Sequence, residues 1–271
     1  MEPYSVLMSV YVKEKPEYLR MSIDSMIHQT VEPDEIVIVE DGPLTNELYD
    51  VLDEYESKYP KLIQRCRNEV NLGLGMALNK GLAACKNELV ARMDTDDISK
   101  PERCELQLKR FEENPELSIV GAHIDEFVGD IENVVSTRKV PLKSEEIYKF
   151  GKRRNPFNHP VVMYRKSKVL GIGGYADMPK GQDWDLFGRL LYGDYKGENI
   201  DKSLLWFRFD ENMVRRRKSF GEVKTSIETA FSFYKMGYAS VIDFAFTIVV
   251  YVGIYVLPDS AVRRLYQALR H

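Results

Sequence analysis

The chain has 271 residues, of which 44% are hydrophobic, 11% aromatic and 30% charged, with a net charge of -4 from 38 basic and 42 acidic side chains. That profile suits one main α/β domain with a C-terminal extension and excludes a disordered or fibrous chain; the absence of a basic excess argues against nucleic acid as a partner. Cys66, Cys85 and Cys104 are odd in number and lack C-x-x-C spacing, which argues against a disulfide framework or a zinc site and reads as reduced cytoplasmic thiols.

Tyr4 to Val12 is β-rich. Its apolar run from Val6 is stopped after about seven residues by Lys13, Glu14 and Lys15, too early for a span, so it reads as a strand rather than a targeting segment. Pro16 to His28 has helical spacing with Pro in the first turn, and Glu35 to Glu40 is a short apolar strand. Asn46 to Tyr59 reads as a helix, Leu62 to Cys66 as a strand, Gly75 to Cys85 as a helix and Glu88 to Met93 as a strand. This alternation predicts right-handed crossovers and a doubly wound, mostly parallel sheet.

After Pro101 the pattern gives a helix to about Asn114, a strand from Leu117 to Val128, a helix over Ser144 to Lys152 and a loop from Asn155 to Pro160. Strands are expected at Val161 to Tyr164 and Leu204 to Phe209. Between them, the glycine-rich stretch Gly171 to Gly181 predicts a mobile loop before a helix from Asp183 to Tyr192.

Ligands of such sheets bind beyond the C-terminal strand ends. Here those ends carry Val10-Tyr11-Val12, Glu40-Asp41-Gly42 and Asp94-Thr95-Asp96-Asp97. Three acids in four positions repel one another on leaving water and call for a cation or strong donors. An acidic turn capping the following helix is the bland alternative, and the position at a strand end favours hard oxygen ligands for Mg2+ or Mn2+. Asn71-Leu72-Gly73-Leu74-Gly75 follows the third strand and lacks the full G-x-G-x-x-G spacing, so a dinucleotide fold fits poorly.

The ordered set Ser9-Val10-Tyr11, Glu40-Asp41-Gly42, Asn71-Leu72-Gly73, Asn79, Asp94-Thr95-Asp96-Asp97 and Gln182-Asp183-Trp184-Asp185-Leu186 resembles family 2 glycosyltransferases of the GT-A fold, of the bacterial polysaccharide type. The resemblance implies a catalytic domain over residues 1–220, with a nucleotide-binding half (1–100) and an acceptor-binding half (101–220), followed by a helical extension (221–271). It implies that Val10 and Tyr11 flank the nucleotide base, that Asp41 meets its polar edge, and that Asn71, Asn79, Arg92 and Thr95 belong to the donor site. Asp94, Asp96 and Asp97 become the metal set for Mn2+ or Mg2+. Asp183 becomes the general base of an inverting transfer, with capping of its own helix as the bland alternative.

His159 and Trp184 fall on the acceptor side by the same resemblance, and Asp185 and Arg189 read as supports of their helix. Where the family often has later Arg and His residues, this chain has Arg215-Arg216-Arg217-Lys218, a run able to close over phosphates. The implied reaction moves a hexose or N-acetylhexosamine from a UDP-sugar to a lipid-linked saccharide in capsular, exopolysaccharide or O-antigen synthesis.

Phe244 to Leu257 is the most apolar stretch, fourteen residues between Asp243 and Pro258, and Ala261 to Arg270 is basic and amphipathic. The first is short for a span. The favoured reading is a monotopic or re-entrant contact with the inner leaflet of the cytoplasmic membrane, making the enzyme cytoplasmic and peripheral; the other is a helix buried on the domain or in a dimer. A nucleotidyltransferase fits poorly, because Tyr11 to Lys15 has no glycine. A membrane-anchored, non-catalytic sugar-nucleotide binding protein is the remaining class, and retention of Asp96 and Asp183 counts against it.

Overall fold

The computed structural model describes residues 1–209 and 219–258. The basic run Arg215 to Lys218 and the segment Ala261 to Arg270 lie outside the described residues. Strands β1 (Tyr4–Val10), β2 (Glu35–Glu40), β3 (Ile63–Arg67) and β4 (Leu89–Asp94) alternate with helices α1 (Pro16–Ile27), α2 (Asn46–Lys58) and α3 (Leu74–Ala84). β2 is buried at every position, as its unbroken apolar centre requires of a strand covered on both faces. The four strands run parallel in the order β3-β2-β1-β4. The chain therefore reverses its direction of travel across the sheet between β1 and β4, and a crevice opens at that switch point. Ser9 pairs with Asp94 on one side and Val10 with Glu40 on the other, so the unusual strand ends share one level of the rim.

The α/β sheet is parallel over these four strands and mixed beyond β4. β8 (Met163–Arg165) runs antiparallel to both β4 and β6 (Leu117–Phe127), whereas β9 (Lys196–Arg208) lies parallel to β6. The two-residue β5 (Ile98–Ser99) pairs with β9, and β7 (Val134–Arg138) pairs with β6. Neither β5 nor β7 was anticipated: β5 is too short to show a period, and β7 has no buried position. The first half of β9 reads Lys-Gly-Glu-Asn-Ile-Asp-Lys and lacks an apolar signal, so only its end was legible.

Helices α1, α2 and α4 (Arg103–Glu113) cover one face of the sheet, and α3, α5 (Ser144–Gly151), α6 (Lys166–Gly171) and α7 (Gln182–Tyr192) the other. Arg103 is fully buried and donates to the carbonyls of Arg92 and Val162, fastening β4 to the turn His159–Val161. The apolar C-terminal stretch forms most of α9 (Val241–Val256), which packs on α8 (Phe220–Lys235). Ser240 and Asp243 close its first turn in a capping box. Among the described residues, no helix is long and apolar enough to cross a membrane.

Gly188 is where α7 meets α8: a Cβ there would overlap the ring of Phe233, which is itself fully buried. Gly188→Ala is expected to cost about 1–3 kcal/mol through this overpacking, read as a lower urea midpoint with an unchanged slope. A stability equal to wild type would mean that the two helices separate without cost.

Candidate active site

Three loops meet at the switch point. After β2, Asp41 is almost wholly buried, and its carboxylate accepts from Asn68 Nδ2 at 2.9 Å and from the backbone N–H groups of Leu72 and Gly73 at 2.8 and 3.0 Å. Asn71 donates from Nδ2 to the Asp41 carbonyl at 3.0 Å. This carboxylate shapes the loop that enters α3. Gly42 makes the approach possible: its φ is +88°, and a Cβ would stand 2.7 Å from the Asn71 nitrogen. Val10 turns its side chain into the core, and Tyr11 is exposed at the mouth.

After β4, carboxylate oxygens of Asp94, Asp96 and Asp97 lie within 4.8 Å of one another. The turn that holds them is braced on every side. Ser22 donates to the Asp94 carbonyl, and Thr95 donates to Glu14 at 2.6 Å. Arg208, at the end of β9, donates its backbone N–H to Asp97 Oδ1 at 2.8 Å and its Nε to the Asp96 carbonyl at 2.9 Å. The Arg208 guanidinium also lies over the rings of Tyr18 and Phe127.

The charge in this turn is only partly compensated. Asp97 is buried, and its Oδ2 has no hydrogen-bond partner among the described residues. Burial, with Asp96 and Asp94 beside it, pushes the Asp97 carboxyl well above the usual range. Asp96 is the member open to solvent, yet loss of surrounding water, then Asp94 and Glu14, push it up to about 7. An orphaned buried oxygen and two reluctant acids are what a divalent cation would relieve, and all-carboxylate donors suit Mg2+ or Mn2+. The residues present therefore fit such an ion.

Asp183 stands in the first turn of α7, behind Gly181 at φ +70°. Its Oδ2 accepts from Asn155 Nδ2 at 2.6 Å. Burial pushes this carboxyl above its ordinary range, while the N–H groups of the helix start and Arg92 oppose the rise. Arg92 joins the two acidic regions from below. It is 1% exposed, pairs with Asp94 and leaves Nε and Nη1 without partners among the described residues. Beside it, His159 Nε2 meets the Tyr175 hydroxyl at 2.9 Å; burial, then Arg92, hold His159 well below its usual range, so its ring stays neutral.

Several residues expected at the site prove to be braces. Asn79 spends its carboxamide on the Tyr175 peptide, donating to its carbonyl and accepting from its N–H, both at 2.8 Å. Trp184 is 4% exposed, donates its indole N–H to the Gly151 carbonyl and packs between Phe233 and Tyr251. Arg189, paired with Asp185, donates to the carbonyls of Ile172 and Gly174, so the first half of the glycine-rich loop is pinned rather than free. Glu14, Asn155, Tyr175 and Arg208 are members of the site that no sequence motif singled out. Asn155 and Tyr175 lay in segments marked for their composition.

A carboxylate crevice at the switch point of an α/β sheet defines a fold with a site suited to a cation and to the ligand it accompanies. The glycosyl transferase family 2 model matches residues 5–223, and the chain belongs to that family. It is 34% identical over 257 residues to a UDP-Gal:alpha-D-GlcNAc-diphosphoundecaprenol beta-1,3-galactosyltransferase of Escherichia coli, covering 95% of this chain and 92% of that one. It is 38% identical over 225 residues to the amylovoran biosynthesis glycosyltransferase AmsE of Erwinia amylovora, covering 83% of each. Among solved structures it resembles the mannosyltransferase PcManGT of Pyrobaculum calidifontis, in complex with GDP-Man and Mn2+, with a TM-score of 0.62, 14% identity and coverage of 99% of this chain and 80% of that one. The fold is thus shared at low identity.

The raised carboxyls give a prediction with a definite sign. In the metal-free protein Asp96 holds its proton up to about 7, whereas the unfolded chain releases it at the ordinary aspartate value of 3.8. Its contribution to stability is complete below 3.8 and is lost as pH rises through about 7. A cation must displace that proton, so Mn2+ is expected to raise the melting temperature more at pH 8 than at pH 6. Thermal unfolding with Mn2+ and with chelator measures this, and equal gains at both pH values would contradict it.

Proposed function

We propose that this family 2 glycosyltransferase moves a hexose or N-acetylhexosamine from a UDP-sugar to a lipid-linked saccharide, with inversion, during assembly of a capsular, exopolysaccharide or O-antigen chain. The observation that carries the reading is two acidic regions that share one buried guanidinium: Arg92 pairs with Asp94 of the Asp94, Asp96 and Asp97 turn, and its charge also acts on Asp183. The galactosyltransferase relative, whose name specifies UDP-Gal and a diphosphoundecaprenol-linked acceptor, supports the donor and acceptor class.

In this reading Asp94, Asp96 and Asp97 hold Mn2+ or Mg2+, an ion that supplies neutralising charge to a leaving diphosphate. The rim between Tyr11, Asp41 and Asn71 receives the nucleotide, Asp41 acting through the loop it shapes. Thr95 and Asn79 hold the turn and the glycine-rich loop in place, and Arg92 fixes Asp94. Asp183 accepts the proton of the acceptor hydroxyl as its oxygen bonds to the anomeric carbon and the bond from that carbon to the diphosphate breaks. Asn155 pins Oδ2, which leaves Oδ1 for the acceptor. His159, neutral and tied to Tyr175, keeps the floor on the acceptor side in shape, and Trp184 sets the position of α7. The enzyme works on the cytoplasmic side of the membrane, against the leaflet that carries its acceptor.

UDP release from a panel of UDP-galactose, UDP-glucose and UDP-N-acetylglucosamine, with Mn2+ and with chelator, tests this. Asp183→Asn is expected to lower turnover by roughly a hundredfold to ten-thousandfold with donor affinity kept, whereas Asp96→Ala loses metal-dependent donor binding as well. Because burial raises the Asp183 carboxyl, activity falls on acidification at a pH above the ordinary aspartate range. Full turnover in Asp183→Asn would remove it from the base role.

A further inference from the structure

A helix on a protein surface normally turns its polar side to water. α9 does the reverse. Its buried positions are Asp243, Thr247 and Ile254, and its outward positions are uncharged and largely apolar. Ile242, Val249 and Val256, seven residues apart, are 69%, 71% and 73% exposed, with Phe246 and Tyr255 open on the same helix. Phe231 and Tyr234 of α8 continue the surface, packed against Phe244. A contiguous apolar face of this kind marks a contact surface.

What covers it is indicated by charge. The run Lys149-Phe150-Gly151-Lys152-Arg153-Arg154 sets four cations in six positions without an acid, in a chain whose net charge is -4. Arg153 joins this run to α9: it donates to Asp243 at 2.6 Å, and its guanidinium lies 4.8 Å from the Phe246 ring centre. Lys152 lies over Tyr148 and Tyr238 beside it. We propose that the outward side of α8 and α9, edged by Lys149, Lys152, Arg153 and Arg154, docks on an anionic lipid bilayer. Its aliphatic side chains enter the acyl boundary while the cations meet lipid phosphates. A second copy of the chain would bring an equally basic edge to the same place, whereas an anionic bilayer answers both chemistries. At sixteen residues α9 extends about 24 Å, less than a hydrocarbon core of about 30 Å, so it lies in the interface rather than across it.

The surface is rigidly connected to the acceptor side. Trp184, next to Asp183, packs against Phe233 of α8 at 5.4 Å and Tyr251 of α9 at 6.2 Å between ring centres. Docking would hold Asp183 at a set height over the lipid that carries the acceptor. That purpose rests on the proposed function; the binding itself does not.

Co-sedimentation of the full chain with phosphatidylcholine vesicles, with and without about a third phosphatidylglycerol, tests the surface. Wild type is expected to pellet with the anionic vesicles. Ile242→Glu combined with Val249→Glu should weaken partitioning roughly a hundredfold, and Lys149→Glu with Lys152→Glu should cut the preference for phosphatidylglycerol at least about tenfold. Circular dichroism checks that both pairs keep the wild-type fold. The proposal falls if wild type stays in the supernatant, or if the Ile242 and Val249 pair binds like wild type. It also falls if light scattering finds a dimer that this pair dissociates, which would give the face to a second copy. UDP release in detergent is read separately: release without vesicle binding overturns the surface alone, and binding without release overturns the transferase reading alone.

Discussion

Carboxylates brought together out of water repel one another, and each also loses its hydration; a fold that does this must supply compensating positive charge. Among the described residues, the guanidinium that acts on all four acids is Arg92, buried two residues before the end of β4. It pairs with Asp94, and its charge is felt at Asp96, Asp97 and Asp183. Among the described residues the acids stay under-compensated, as the raised carboxyls and the unpartnered oxygen of Asp97 show. A divalent ion is the kind of ligand that would relieve this deficit.

Everything around that guanidinium serves to keep the acids where repulsion would disperse them. The parallel register of β1, β2 and β4 sets Asp41 and Asp94 on one rim, and Arg208 reaches from the end of β9 to lock the aspartate turn. Asn79 and Arg189 hold the glycine-rich loop by its backbone, and within that loop Tyr175 meets the neutral His159. Trp184 then ties the helix of Asp183 to the C-terminal pair. The helix that carries Asp183 and the apolar outer face are thus parts of one packed layer.

The first hundred residues were legible because a buried parallel strand shows as a continuous apolar run, and Val6 to Met8 and Ile36 to Val39 provide it. The acidic strand end and the Gln182 to Leu186 segment were legible because so many acids near an apolar run have few stable placements. The antiparallel half was harder to read. β9 begins among polar residues, β5 pairs over only two positions, and α6 follows directly from β8. Side-chain contacts were also hidden: sequence order does not show the hydrogen bond from Asn79 to a peptide ninety-six residues away or the pair of aromatic contacts that hold Trp184. Arg208 and Asn155 could not be recognised without knowing which strand and which loop stand opposite the acids. The apolar C-terminal stretch admitted two readings because α9 satisfies both, with one face packed and the other open.

The account turns on the aspartate turn being the seat of a divalent ion that meets the donor. Anomalous scattering from crystals grown with Mn2+ and UDP measures this directly. One strong manganese peak is predicted among Asp94, Asp96 and Asp97, with the diphosphate against it; UDP bound in the crevice with no manganese there, or manganese held elsewhere, would contradict the account.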